Sequence, residues 1–337
     1  MKTRFSIVCS SLLLLVSVAH AQQPASAPIV IKFSHVVAAD TPKGKAAELF
    51  KKLAEERTKG RVKVDVFANS VLYKDKEEIE ALQMGAVQML APSTSKFGPM
   101  GVAAFEVFDL PFIFADRDVQ QYVVNGPVGV KLFKLLESKN IRGLAYWDNG
   151  FKQMSANKPL HMPADMKGLK MRIKSSKVLD EQMRSVGAMP QVLAFSEVYQ
   201  ALQTGVIDGT ENSLPNFYTQ KFYEVQKHMT ISNHGYGAYA VIVNKKFWDG
   251  LPADIRTILE KAMQEASKYE NDLSKEEEDE MVSLIKASGK IDIYTLTKAE
   301  SAAWRTAMMP VHKSMEKRIG VEWIEAINKE AASMKRK

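Results

Sequence analysis

The stretch ALQMGAVQ at residues 81–88 returns 120 positions later as ALQTGVID at 201–208. Each copy reads as the last turn of a helix, a glycine (Gly85 or Gly205) where a left-handed C-cap is wanted, and then a short strand with β-branched residues. Each strand delivers a polar cluster, Ser93-Thr94-Ser95 in the first copy and Glu211-Asn212-Ser213 in the second. Ligands in open α/β sheets sit beyond the carboxyl ends of strands. One α-to-β unit used twice therefore predicts two α/β lobes whose polar clusters face a shared cleft.

The flanking sequence repeats the alternation. IVIKFS (29–34) reads as a strand, Thr41 as the N-cap and Pro42 as the first residue of a helix to about Arg57, and RVKVDVF (61–67) as a second strand. A helix over 74–84 leads into the first copy of the repeat. IRGLAY (141–146) is a further strand, and YWDNGFKQ (146–153) reads as a crossing into a second unit. That unit holds the strand GLKMRI (168–173), helices over 176–186 and 196–204, and the second copy. AYAVIVN (238–244) brings the chain back. Apolar residues from Ile255 to Ile285 then keep helical spacing from Pro252 to about Ala287, with Gly289 as the stop. Such a helix is about 50 Å long and has to run across both lobes. The expected division is lobe I at 28–149 plus about 238–265, and lobe II at 150–237 plus about 266–337.

Residues 1–21 form a secretory leader: Lys2 and Arg4, an apolar run from Ile7 to Val18, and an A-x-A site ending at Ala21, after which cleavage is expected. The only cysteine, Cys9, lies inside it, so the exported chain depends on a large core rather than on disulfides. The bacterial periplasm is the compartment this predicts. Without the leader, 44 basic residues face 39 acidic ones. That mild excess, interleaved as in KKLAEERTKG (51–60), suits small anions and excludes a phosphate-tracking nucleic-acid surface.

Enzymatic readings find little support. Ser93 and Lys96 match S-x-x-K, the acylase pattern, but the S-D-N and K-T-G elements that complete that site are absent. No G-x-S-x-G or H-E-x-x-H occurs, and the histidines outside the leader lack zinc-site spacing. No cofactor, metal or catalytic residue is expected. Two residues invite a binding role instead. Arg172, between Met171 and Ile173, is either an arginine at the lobe interface or a guanidinium fork for a carboxylate. Asn212, beside Glu211, is either a turn residue or an amide offered to a ligand.

The phrases IKFSHVVAADTPKG (31–44), DLPFIF (109–114), ADMKGLKMR (164–172), FSEVYQALQTGVIDGTEN (195–212) and KFYEVQKHMT (221–230) span nearly the whole exported chain. In that order they resemble the solute receptors of tripartite ATP-independent periplasmic (TRAP) transporters, dicarboxylate-binding type. The resemblance implies a two-lobed periplasmic binding protein fold of the α/β class, with a long helix spanning both lobes and a central ligand cleft. It implies capture of a C4 dicarboxylate (succinate, malate or fumarate) and delivery to the integral membrane subunits of a TRAP permease, by a monomer. A 2-oxo or hydroxy monocarboxylate, and a signalling protein as docking partner, are the alternatives.

The same resemblance assigns the bidentate carboxylate contact to Arg172 and support of that end of the ligand to Asn212. Lys152, in GFKQ, stands where some members carry a second arginine, and Lys43, in the first turn of a helix, is the other choice for the far end. His35, Ser93 and Ser95 are further donors, and Trp147, Phe217 and Tyr236 are expected cleft walls.

Overall fold

The computed structural model describes residues 27–334, so the expected leader lies outside the described residues. Strand β1 (Ile29–Ser34) buries Ile31 and Phe33 completely. It pairs in parallel with β2 (Val62–Phe67) and with the two-residue β3 (Met89–Leu90). Between β1 and β2 lies the helix Pro42–Arg57, which starts where Thr41 Oγ1 accepts the Gly44 amide at 3.1 Å. Its Ala46, Ala47, Phe50 and Ala54 pack with Phe33 and Trp147 in one apolar core.

Two long strands join the halves. β4 (Ile141–Ala156) takes in the whole of the expected crossing YWDNGFKQ, so the passage is sheet rather than loop. It runs antiparallel to β8 (His228–Asn244), from the pair Ile141–Asn244 to the pair Ala156–His228, with register shifts at Gly143/Ala145, Asp148/Gly150 and Lys152/Met154. Each shift marks a bulge, where a strand bends and twists more strongly. The second half adds β5 (Lys170–Ile173), β6 (Met189–Val192) and β7 (Gly209–Ser213), and β9 (Asp292–Thr295) pairs with β8. The nine-stranded sheet has the order β2-β1-β3-β8-β4-β7-β5-β6, with β9 off that path.

The helix Ala253–Ala287 is 35 residues long, as its spacing predicts. Its first part buries Ile255, Leu259 and Ala266 in the core of β1, while Met281 and Ile285 lie in a different core with Phe217 and Met229. One helix thus serves both lobes. Beyond it the chain divides its packing: Trp304 and Met308 sit with Met154 and Met171, and Ile324 and Ile327 with Val119 and Leu132.

The helix of each copy of the repeat stops at a left-handed glycine, Gly85 at φ +80° and Gly205 at φ +72°. The helices are shorter than their patterns suggest, Glu78–Gln83 and Val198–Gln203. Residues 75–77 form turns, and there the Asp75 side chain pairs with Lys96 and accepts the Phe195 amide. The strands begin four residues beyond each glycine, at Met89 and Gly209, not directly after it. A Cβ at Gly205 would meet nothing within 4 Å, so substitution there reports backbone conformation alone. Gly205→Ala is expected to lose about 1–2 kcal/mol in urea unfolding, and Gly205→Asn clearly less, because asparagine tolerates the left-handed region.

Candidate functional site

The carboxyl ends of strands from both halves converge on one cavity of about 30 Å³. Val36 and Val37 reach it from beyond β1, Ser93 and Lys96 from beyond β3, Lys174 from beyond β5, Phe195 from beyond β6, and Asn212 from β7. Asp75 and Glu78 close it from the start of the first repeat helix, and Asn149, Asn216 and Tyr239 close it from the joining strands and the helix Leu214–Thr219.

Arg172 is 1 % exposed. Its Nε and Nη2 both donate to the Leu193 carbonyl, at 3.2 and 3.0 Å, and Nη2 lies 3.9 Å from Asp75. Burial lowers its pKa against the pull of Asp75 and Glu211. The Asn212 Oδ1 accepts the Ser213 amide at 2.9 Å, while its Nδ2 is buried with no hydrogen-bond partner. A buried donor without a partner costs on the order of 1–3 kcal/mol, so an unused amide at a cavity marks a place for an acceptor. The frame around these two groups is well satisfied. Asn149 Oδ1 accepts from Ser213 Oγ at 2.7 Å, from Tyr239 Oη at 2.8 Å and from Asn216 Nδ2 at 3.0 Å.

The charges nearby are mostly spent on one another. Lys96 pairs with Asp75, whose carboxyl burial would push up but which Lys96 and Arg172 hold below its usual value. Glu211 receives Lys152 at 3.2 Å and His234 Nε2 at 3.0 Å. Burial opposes ionisation of Glu211, yet Lys152 and His234 together hold its pKa well below the usual range. Glu78 is different: both its oxygens are buried without a partner, and burial pushes its pKa up to about 7.

The structure thus presents a polar cavity between two α/β lobes joined by long strands and one continuous helix, and the sequence itself matches a family model. Residues 33–318 fit the bacterial extracellular solute-binding protein family 7. The chain belongs to that family. The C4-dicarboxylate-binding periplasmic protein DctP of Rhodobacter capsulatus is 62 % identical over 300 residues, which cover 89 % of this chain and 90 % of the relative. A TRAP periplasmic solute-binding protein of Sulfurospirillum deleyianum, solved with bound succinate, superposes with a TM-score of 0.87 at 46 % identity, covering 90 % of this chain and 99 % of that one. Another, from Pseudomonas aeruginosa with bound L-malate, gives a TM-score of 0.83 at 44 % identity, covering 85 % and 100 %. Among the described residues of this family 7 protein, no helix is long and apolar enough to cross a membrane.

Arg172, Asn212, Ser93 and Lys96 line the cavity of this solute-binding protein; Lys43, Lys152, His35, Ser95, Trp147, Phe217 and Tyr236 do not. Trp147, expected as a cleft wall, is core: it packs near Phe33 and donates to Ser267 Oγ at 2.8 Å. Phe217 packs edge-on against Phe222, and Tyr236 packs on Phe151 and donates to Asp148 at 2.7 Å. The aromatic walls are instead Phe195 and Tyr239. Ser95 is turned to Asp109 at 2.6 Å, and Lys152 is held by Glu211. Lys43 donates to the Ala91 carbonyl at 2.9 Å and lies 3.6 Å from the centre of the Tyr239 ring, lining a small neighbouring cavity. Asp75, Glu78 and Lys174 were not legible as site residues, since short-range pattern reads each as an ordinary surface charge.

His35 is buried and neither ring nitrogen makes a hydrogen bond of good geometry. Burial first, and the Lys43 ammonium second, lower its pKa from 6.5 to about 3. The folded state therefore excludes a proton that the unfolded chain takes up below pH 6.5, and stability present above that value is lost as the pH falls toward 3. Between pH 7.5 and 5.0 the wild type should lose about 2 kcal/mol more than His35→Gln, measured as the difference in slope of unfolding free energy against pH.

Proposed function

We propose that this protein is a periplasmic receptor that closes on a C4 dicarboxylate (succinate, malate or fumarate) and hands it, as a monomer, to the integral membrane subunits of a TRAP permease. The observation that carries the reading is the state of Arg172. Leu193 takes the Nε–Nη2 edge of the guanidinium, and among the described residues nothing bonds Nη1, so the Nη1–Nη2 end remains for a carboxylate. Two parallel charge-assisted bonds fit there, and the unused Asn212 amide adds a third donor. The names of the relatives support the same ligand class: one is called C4-dicarboxylate-binding, and two solved neighbours hold succinate and malate.

Turnover is not part of this reading. Ser93 Oγ lies 3.3 Å from Ser95 Oγ, and Lys96 is committed to Asp75, so the S-x-x-K pair is not assembled for acyl transfer. Closure is assigned to the places where β4, β8 and the helix Ala253–Ala287 pass between lobe I (28–149 plus about 238–265) and lobe II (150–237 plus about 266–337). The leader is removed after Ala21 in the same reading.

Thermal shift against an organic-acid panel tests the ligand class. A C4 diacid at 100 times its dissociation constant should add about 2.7 kcal/mol of stability, whereas stabilisation by sugars or amino acids alone would overturn the reading. Arg172→Ala should weaken diacid binding by about 30-fold to several thousand-fold in calorimetry, and Arg172→Lys should fail to rescue it, because an ammonium cannot reproduce the fork. Near-wild-type affinity in folded Arg172→Ala would return that residue to a purely structural role.

A further inference from the structure

We infer that Lys174 receives the second carboxylate of the ligand and so sets the preference for a diacid over a monoacid, an assignment that rests on Arg172 holding the first. Lys174 follows β5 directly and stands two residues after Arg172, the spacing that puts side chains on one face of a strand. Both line the cavity. What distinguishes Lys174 is that it is 9 % exposed, lines the cavity, and forms none of the hydrogen bonds or ion pairs seen for the neighbouring ammonium groups.

Every other ammonium near the cavity has an occupation. Lys96 is paired with Asp75, Lys152 lies between Glu211 at 3.2 Å and Asp109 at 3.8 Å, and Lys43 is held by the Ala91 carbonyl and the Tyr239 ring. Those pairings also explain why Lys152 and Lys43 are poor choices for the far end of the ligand. A buried ammonium with no partner is a stability cost that a purely structural position would not retain. The charged groups that act on it are Lys152 from β4, Glu211 from β7, Asp109 at the end of the short 3-10 helix Ala103–Asp109, and Arg172 from β5. Glu211 is engaged by Lys152 and His234, and Asp109 by Ser95 through Oδ1, its Oδ2 making no hydrogen bond. Burial, then the Lys152 charge, lowers the Lys174 pKa to about 7, and an incoming carboxylate would restore the charged form. A dianion therefore supplies at Lys174 the counter-charge that the fold withholds.

The test compares succinate with succinamate, in which one carboxylate is replaced by a neutral amide of similar shape. Calorimetry on the wild type, Lys174→Met and Lys174→Arg should show succinate binding weakened by about 30-fold or more in Lys174→Met, succinamate affinity held within about 3-fold, and most of the succinate preference retained by Lys174→Arg. Without ligand, Lys174→Met should melt at or above the wild-type temperature, because an unpaired buried charge has been removed. A merely structural lysine predicts the reverse: a lower melting temperature and equal losses for both ligands. Unchanged succinate affinity, or parallel loss of both ligands, in folded Lys174→Met overturns the assignment while leaving the Arg172 reading standing. Failure of the wild type to bind succinate or L-malate overturns both.

Discussion

Everything else in the molecule hangs on the antiparallel pairing of β4 with β8. A strand pair that starts at Ile141–Asn244 and ends at Ala156–His228 carries its backbone hydrogen bonds from one lobe to the other, so neither lobe has to expose an unpaired edge at the junction. At its first end β8 pairs with β3, and at its far end β4 pairs with β7. The parallel strands of each lobe are thereby pointed, carboxyl end first, at the same space. The register shifts lie within this pair, and the left-handed Gly150 at φ +72° lies at the middle one. Bends are thus confined to backbone that is otherwise continuously paired.

The long helix is tied to that same stretch. The Asp148 amide donates to Glu270 at 2.8 Å, and Trp147 reaches Ser267. Arg117 pairs with Asp148 and, at 2.7 Å, with Glu278 one turn beyond Ser274, whose carbonyl it also reaches at 3.2 Å. These buried polar contacts hold helix, strand and the helix Arg117–Val124 at one level of the molecule. Geometry set there propagates to the cavity through Asn149, the next residue of β4, whose side chain is the acceptor shared by Ser213, Asn216 and Tyr239.

Around the cavity the physics is one of desolvated charge. Most buried cations and anions are matched within hydrogen-bonding distance, as burial requires. Three of the buried polar atoms left without a partner, the amide nitrogen of Asn212 and both oxygens of Glu78, lie at the cavity wall, while others, such as the His35 ring, Asp109 Oδ2 and Glu270 Oε1, lie elsewhere. A chain under no demand but folding would be expected to remove such groups.

Much of the architecture could be read from residue order, because local physics decides it. Thr41 and Pro42 start a helix, Gly85 and Gly205 stop one, and an unbroken helical spacing from Ile255 to Ile285 demands a rod longer than either lobe. Arg172 and Asn212 were legible too, as polar groups embedded in strand-end phrases. Sequence alone could not say that YWDNGFKQ is sheet, since its partner, the stretch around Tyr236 to Ala240, lies some 90 residues away and pairing of that kind leaves no local mark. Nor could it tell Trp147, Phe217 and Tyr236, which fill cores, from Phe195 and Tyr239, which line the cavity, because all are apolar rings at similar spacing. The charges divide in the same way. Lys152 and Lys174 look alike in the chain, and only the arrival of Glu211 beside one of them, brought by the pairing of β4 with β7, decides which ammonium is neutralised and which is left facing the cavity.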